Sequence, residues 1–179
     1  MTTAAPLYGL MAEFEQPEQL LEATRRAYEA GYRKMDAYSP FPVEGLAEAL
    51  GRKHTAIPFL VLAGGILGGM GGYFMQWYAT TIHYPLNVGG RPLHSWPAYI
   101  PITFELTVLT AAAFALVGML SLNRLPQPHH SVFNAPGFWR ASQDRFFLAV
   151  EVVDPLFDVA RTRAFLEGLH AIKVMEVEE

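Results

Sequence analysis

Cysteine is absent from the 179-residue sequence. This excludes disulfides, cysteine-ligated iron–sulfur clusters and covalently attached c-type haem within the chain. Basic charge is scarce: 13 Lys and Arg against 17 Asp and Glu give a net charge of −4, which offers no electrostatic footprint for nucleic acid. The opening residues MTTAAPLYGLMAEFEQ carry neither a basic n-region nor an apolar core of signal-peptide length. No Gly-x-Ser-x-Gly, His-Glu-x-x-His or Walker sequence occurs. His129 and His130 are the only adjacent histidines. In an extended chain they would point to opposite faces, and no third ligand accompanies them, so a zinc site is not expected. Arg25, Arg26, Arg161 and Arg163 read as solvated or interfacial rather than catalytic.

Charge is scarcest in two internal stretches. Residues 56–82 hold no Asp, Glu, Lys, Arg or His, and residues 98–122 hold only Glu105. Both exceed the roughly 20 residues a helix needs to cross about 30 Å of hydrocarbon. The expected organisation is an N-terminal soluble half over 1–55, transmembrane helices over 56–82 and 98–122, a connecting loop over 83–97, and a linker with the C-terminal soluble half over 123–179. The first span is expected to act as the insertion signal. Trp77, Tyr78, Trp96 and Tyr99 cluster where both spans meet the loop and suggest an aromatic belt at headgroup level. Arg52, Lys53 and Arg124 flank the other ends, whereas the loop holds only Arg91. This balance predicts cytoplasmic termini and a periplasmic loop. No histidine lies in either span, so haem ligation across the two helices is not supported.

The first span contains GGILGGMGG. Gly64, Gly68 and Gly72 recur every four residues, with Gly65 and Gly69 beside them. This repeated small-xxx-small pattern lets another helix approach closely in lipid. The partner is expected to be the second span or a helix of another protein. A phosphate-cradling loop is the rival reading, but no Gly-Lys-Ser/Thr follows and the segment lies at membrane depth. Glu105 sits about two turns into the second span, roughly 10 Å below the loop-side surface at 1.5 Å per residue. A charged carboxylate at mid-membrane costs about 2.5–3.5 kcal/mol. Glu105 is therefore expected to face protein or water, as a hydrogen-bonding group for assembly or as a proton site.

The flanks repeat one order. Residues 7–14 read as a strand, a helix opens at Gln16 and Pro17 and stops at Gly31, and residues 32–38 read as a second strand. A short helix over 43–50 precedes the membrane. After it, residues 145–153 read as a strand, Asp154 and Pro155 open a helix with Phe157, Ala160, Ala164 and Phe165 on one side, and residues 172–177 close as a strand. Two strand–helix–strand units predict an α+β, ferredoxin-like domain split by the inserted two-helix hairpin. A flank of about 55 residues buries too little surface alone, so joint folding is expected. Residues 125–142, Pro-rich and aperiodic, are expected to run over a surface.

YGLMAEFEQPEQLLEA, MDAYSPFP, GGILGGMGGYFMQWY, YPLNVGGRPLHSWPAYIPITFELTVL and NRLPQPHHSVFN together resemble the two-span membrane subunit family of bacterial alternative complex III, over nearly the whole chain. The resemblance implies a quinol-oxidising respiratory complex whose haem c groups and iron–sulfur clusters sit in other subunits. It also implies multi-span quinol-handling subunits and an associated terminal oxidase as partners. The chain would be a non-catalytic accessory subunit of the bacterial inner membrane. Two other readings stand beside it: a proton path through Glu105, and a free-standing membrane sensor with a ligand-binding domain.

Overall fold

The computed structural model describes residues 6–52 and 55–179, which divide into two compact units. One comprises residues 6–52 and Pro128–Glu179, the other residues 55–127. In chain order the elements are β1 (Leu7–Phe14), α1 (Pro17–Glu29), β2 (Met35–Tyr38), α2 (Leu46–Ala49), α3 (Ile57–Tyr78), α4 (Trp96–Leu122), β3 (Phe146–Glu151), α5 (Val159–Glu167) and β4 (Lys173–Glu178).

The fold is α+β. The four strands form one sheet in the order β2-β3-β1-β4, antiparallel at every pairing. Met11 of β1 stands between Ala149 of β3 and Met175 of β4. Neither flank has two adjacent strands of its own: β3 separates β1 from β2, and β1 separates β3 from β4. The start of β1 shifts register between Leu7 and Gly9. A Cβ at Gly9 would run into the Val150 carbonyl oxygen, so the irregularity needs glycine there.

Both faces of the sheet are covered. On one face Leu10, Ala12, Phe14, Phe146, Leu148 and Val150 pack with Leu20 and Ala27 of α1 and Leu166 of α5. On the other, Met11, Phe147, Ala149, Met175 and Val177 meet Val132, Ala135, Phe138 and Ala141. The segment expected to be a surface linker is therefore a structural layer. It winds through two 3₁₀ turns, Ser131–Asn134 and Phe138–Ser142, and its four buried residues recur every third position, the repeat of a 3₁₀ helix. Burial on both faces also accounts for the poor polar–apolar alternation of the strands.

Several element boundaries differ from the sequence expectation, for identifiable reasons. The second strand begins at Met35 rather than at 32. Tyr32 turns into the core, its hydroxyl 3.1 Å from Thr162 Oγ1, and the Arg33 and Lys34 N–H groups bond to Asp154. The third strand ends at Glu151, where a turn closes with the Asp154 N–H donating to the Glu151 carbonyl. The helix expected at Asp154 begins instead after Asp158, whose carboxylate caps it by accepting from Arg161 N at 2.9 Å. Its buried side is Thr162 and Leu166, with Phe157 and Phe165 half-buried, while Ala160 and Ala164 are exposed. The short helix before the membrane is a single turn, following Gly45 at φ +79°, and β4 lies one residue later than 172–177.

Asp154 is only 4% exposed. Its carboxylate accepts from Arg33 N at 2.6 Å, Lys34 N at 2.7 Å and Leu156 N at 2.9 Å. Burial raises its pKa, but the three N–H donors more than offset this and hold it below the usual carboxylate range. The contact joins the loop before β2 to the loop after β3, across 121 and 120 residues of sequence.

A fusion of residues 1–52 to 128–179 through a flexible linker should fold cooperatively. One resuming at 142 should melt lower or fail to fold, because it uncovers Met11, Phe147 and Met175. Circular dichroism and thermal melts of the two fusions decide this, and equal stability would remove the structural role of residues 131–141. Asp154→Ala should cost about 3 kcal/mol at neutral pH, since three donors lose a charged acceptor. The carboxyl titrates lower folded than unfolded. Its contribution is therefore complete above the unfolded value of about 3.9 and is lost as pH falls through the folded value. Melting curves of wild type and variant should converge on acidification.

Candidate functional site

The second unit is a helical hairpin, and its seam is built from the smallest residues available. Gly64, Gly68 and Gly72 are the buried residues of α3. A Cβ at Gly64 would come 2.7 Å from Phe114 Cβ, one at Gly68 would meet the Leu106 carbonyl oxygen and come 2.7 Å from Thr110 Oγ1, and one at Gly72 would come 2.9 Å from Leu106 Cδ1. Gly69 faces Thr107 Oγ1 at 2.9 Å, and Gly65 lies in looser contact with Thr107 and Ala111. Gly118 repeats the device from the α4 side, where a Cβ would stand 2.8 Å from Leu60 Cδ1. All five glycines singled out in the sequence thus abut α4 of the same chain. In lipid, where apolar surface gives no hydrophobic gain on helix contact, such close backbone approach supplies van der Waals packing.

Toward the loop the seam becomes polar. Gln76 Nε2 donates to the carbonyls of Gly72 and Tyr99 at 3.1 Å each and to Thr103 Oγ1 at 3.2 Å. The Tyr99 hydroxyl lies 2.5 Å from Thr80 Oγ1 and donates to the Leu93 carbonyl at 3.0 Å. Tyr73 and His94 join ring to ring through a 2.7 Å hydrogen bond. Tyr99 is 2% exposed, so it is a hub inside the hairpin and not a member of an outward aromatic belt. Trp96 and Tyr78 do face outward. The first span continues past Tyr78 as a π turn, Ala79–His83, and the second begins at Trp96, where Pro97 fits the first helical turn. The sequence carried a signal for this seam: Thr103, Thr107 and Thr110 recur at helical spacing opposite the glycines.

Glu105 is exposed on α4. The helices α3 and α4 hold no other acidic or basic side chain, so neither can supply a countercharge. Within the α+β unit several charged side chains pair with one another. Asp36 pairs with Arg52, Arg163 with Glu176, and Arg145 lies 3.5 and 3.4 Å from Glu13 and Glu15. Burial, then the nearby Glu151 and Asp36, push the Tyr8 phenol up to about 12, so it stays a neutral hydroxyl. His130 packs edge-on against Tyr8, and its Nδ1 accepts from Val132 N at 3.3 Å. Among the described residues no group of three or more His, Cys, Asp or Glu converges.

An α+β domain carrying two helices, Ile57–His83 and Trp96–Leu122, each long and apolar enough to cross a bilayer, describes a membrane protein whose helices associate through small-residue packing. The chain belongs to the family described as the ActD subunit of alternative complex III, whose family model matches residues 8–176. It is accordingly a component of a respiratory-chain electron-transport complex, with the other subunits of that complex as partners. No curated protein sequence matches the chain significantly.

Gly68→Leu should disrupt the hairpin and lower complex yield on native gels, because the Leu106 backbone cannot retreat from a side chain. Leu67→Ala, at an exposed position, and Gly71→Ala, where a Cβ meets nothing within 4 Å, should leave the yield unchanged. Equal yields from all three would mean that the glycine seam is dispensable.

Proposed function

We propose that this chain is a non-catalytic, membrane-anchored accessory subunit of a quinol-oxidising respiratory complex of the bacterial inner membrane. The observation that carries the reading is the family match over residues 8–176. The cysteine-free sequence fits it, since the c-type haems and iron–sulfur clusters expected of such a complex would be held by partner subunits. Larger multi-span subunits would handle quinol, and a terminal oxidase would be a further associate. Membership in a multisubunit complex does not favour the free-standing sensor.

The order β2-β3-β1-β4 supports a ferredoxin-like reading of the soluble domain, with the membrane hairpin inserted between β2 and β3. Both flanks contribute to one sheet, so both lie on one side of the membrane. The balance of Arg52, Lys53 and Arg124 against Arg91 favours the cytoplasm.

Mild-detergent purification of the tagged full chain tests the reading: haem-bearing and multi-span subunits should copurify, and quinol oxidation should run with them. Recovery of the chain alone would defeat it. A reporter fused after Glu179 should be active only as a cytoplasmic reporter, and periplasmic activity would reverse the orientation.

A further inference from the structure

The seam of the hairpin fixes which side of α4 looks outward. Thr103, Leu106, Thr107, Thr110 and Phe114 face α3. At about 100° per residue, Glu105 falls half a turn around the helix from that face, alongside Pro101, Leu109, Ala112 and Leu116. All five are exposed. Helix side chains lean toward the N-terminus, here the loop end. Even so, Glu105 follows Trp96 by nine residues, about 13 Å along the axis, which is too deep for a short side chain to reach the headgroups. A carboxylate left in hydrocarbon at that depth is unfavourable, and such residues face protein or water. The hairpin's own helices offer no partner charge. On the outward side of α3, Phe59, Leu62, Ile66 and Met70 are exposed and apolar, which suits lipid.

We propose that the face of α4 centred on Glu105 seats a transmembrane helix of a partner subunit, and that this helix presents a hydrogen-bond donor, neutral or cationic, to the Glu105 carboxyl. The proposal rests on the accessory-subunit reading above and adds where the contact is made. The glycine track, although it is the strongest packing motif in the sequence, is consumed within the hairpin. Ala112, two turns from Glu105 on the same face, lets the partner approach closely.

The test is site-specific photo-crosslinking in native membranes, with a benzophenone amino acid placed at Leu109 or Ala112 and, for comparison, at Leu62 or Ile66. Leu109 and Ala112 should give adducts with a multi-span subunit of the copurifying complex, identified by mass spectrometry, and Leu62 and Ile66 should not. Glu105→Leu should lower the adduct yield about tenfold, as expected if roughly 1.4 kcal/mol of interhelical hydrogen bonding is lost. Glu105→Gln, which keeps a hydrogen-bonding group of similar shape, should retain the adduct and near-normal quinol oxidation. Adducts with lipid alone at Leu109 and Ala112, in a chain that still copurifies with its complex, would overturn this proposal and leave the accessory-subunit reading intact. An adduct yield unaffected by Glu105→Leu would overturn the role of the carboxyl. A chain that copurifies with nothing and cross-links only to lipid would defeat both.

Discussion

The pairing of β1 with both β3 and β4 is the constraint on which the soluble unit depends. A strand from the first flank lies between two from the second, and a strand from the second lies between two from the first. Each flank alone would present strands with no neighbour, leaving their backbone N–H and C=O groups to water and their apolar faces uncovered. The two flanks therefore form one folding unit, although more than 70 residues of membrane hairpin stand between them in sequence. The Asp154 carboxylate reinforces this at the open end of the sheet, where it gathers N–H groups from before β2 and after β3. The 3₁₀ layer at Ser131–Ser142 closes the second face.

The hairpin meets a different requirement with different means. Burying apolar surface gives no advantage between helices already in lipid, so the seam relies on distance: glycines bring the backbones together, and threonines fill the remaining space with short side chains. Thr107 returns its hydroxyl to the Thr103 carbonyl at 2.7 Å, which satisfies the polar atom without a partner helix. Gln76 and Tyr99 concentrate the remaining polarity near the loop. The hairpin is thus internally complete along one side of each helix, and Glu105 is left as the one acidic group pointing away from that side.

Much of this was legible in the residues. β1 lies at the positions its apolar run indicated, α1 opens at Pro17, and the two stretches poorest in charge fall in the two long helices. The family resemblance, carried by the runs around MDAYSPFP and YPLNVGGRPLHSWP, is matched by the family model. Features that depend on contacts far apart in sequence were less legible. Asp154 reads locally as a helix cap because Pro155 follows it, and only the arrival of Arg33 and Lys34 makes it a clip. Val132, Ala135, Phe138 and Ala141 repeat every three residues, a period that neither the α-helical nor the strand template detects. Tyr99 reads as an interfacial aromatic by position, but its hydroxyl finds Thr80 and Leu93 and turns the ring inward. The direction of Glu105 depended on which α4 residues pack against α3, and periodicity alone does not specify that.

The site of insertion follows from the same sheet. β2 and β3 are adjacent and antiparallel, with Tyr38 opposite Phe147 and Met35 opposite Val150, so the chain leaves one strand and re-enters beside it. A connection at that point tolerates length, because closure entropy grows only as the logarithm of loop size. It does not tolerate an odd number of membrane crossings, which would put β3 and β4 on the opposite side from β1 and β2 and leave no sheet to form. Two crossings, as proposed for α3 and α4, would return the chain to the side it left. β1 then waits for Glu151 to be synthesised before its first residues can pair, since Gly9 stands opposite Glu151. Contacts of such sequence separation form late. The sheet therefore closes only after the whole hairpin sequence has been synthesised.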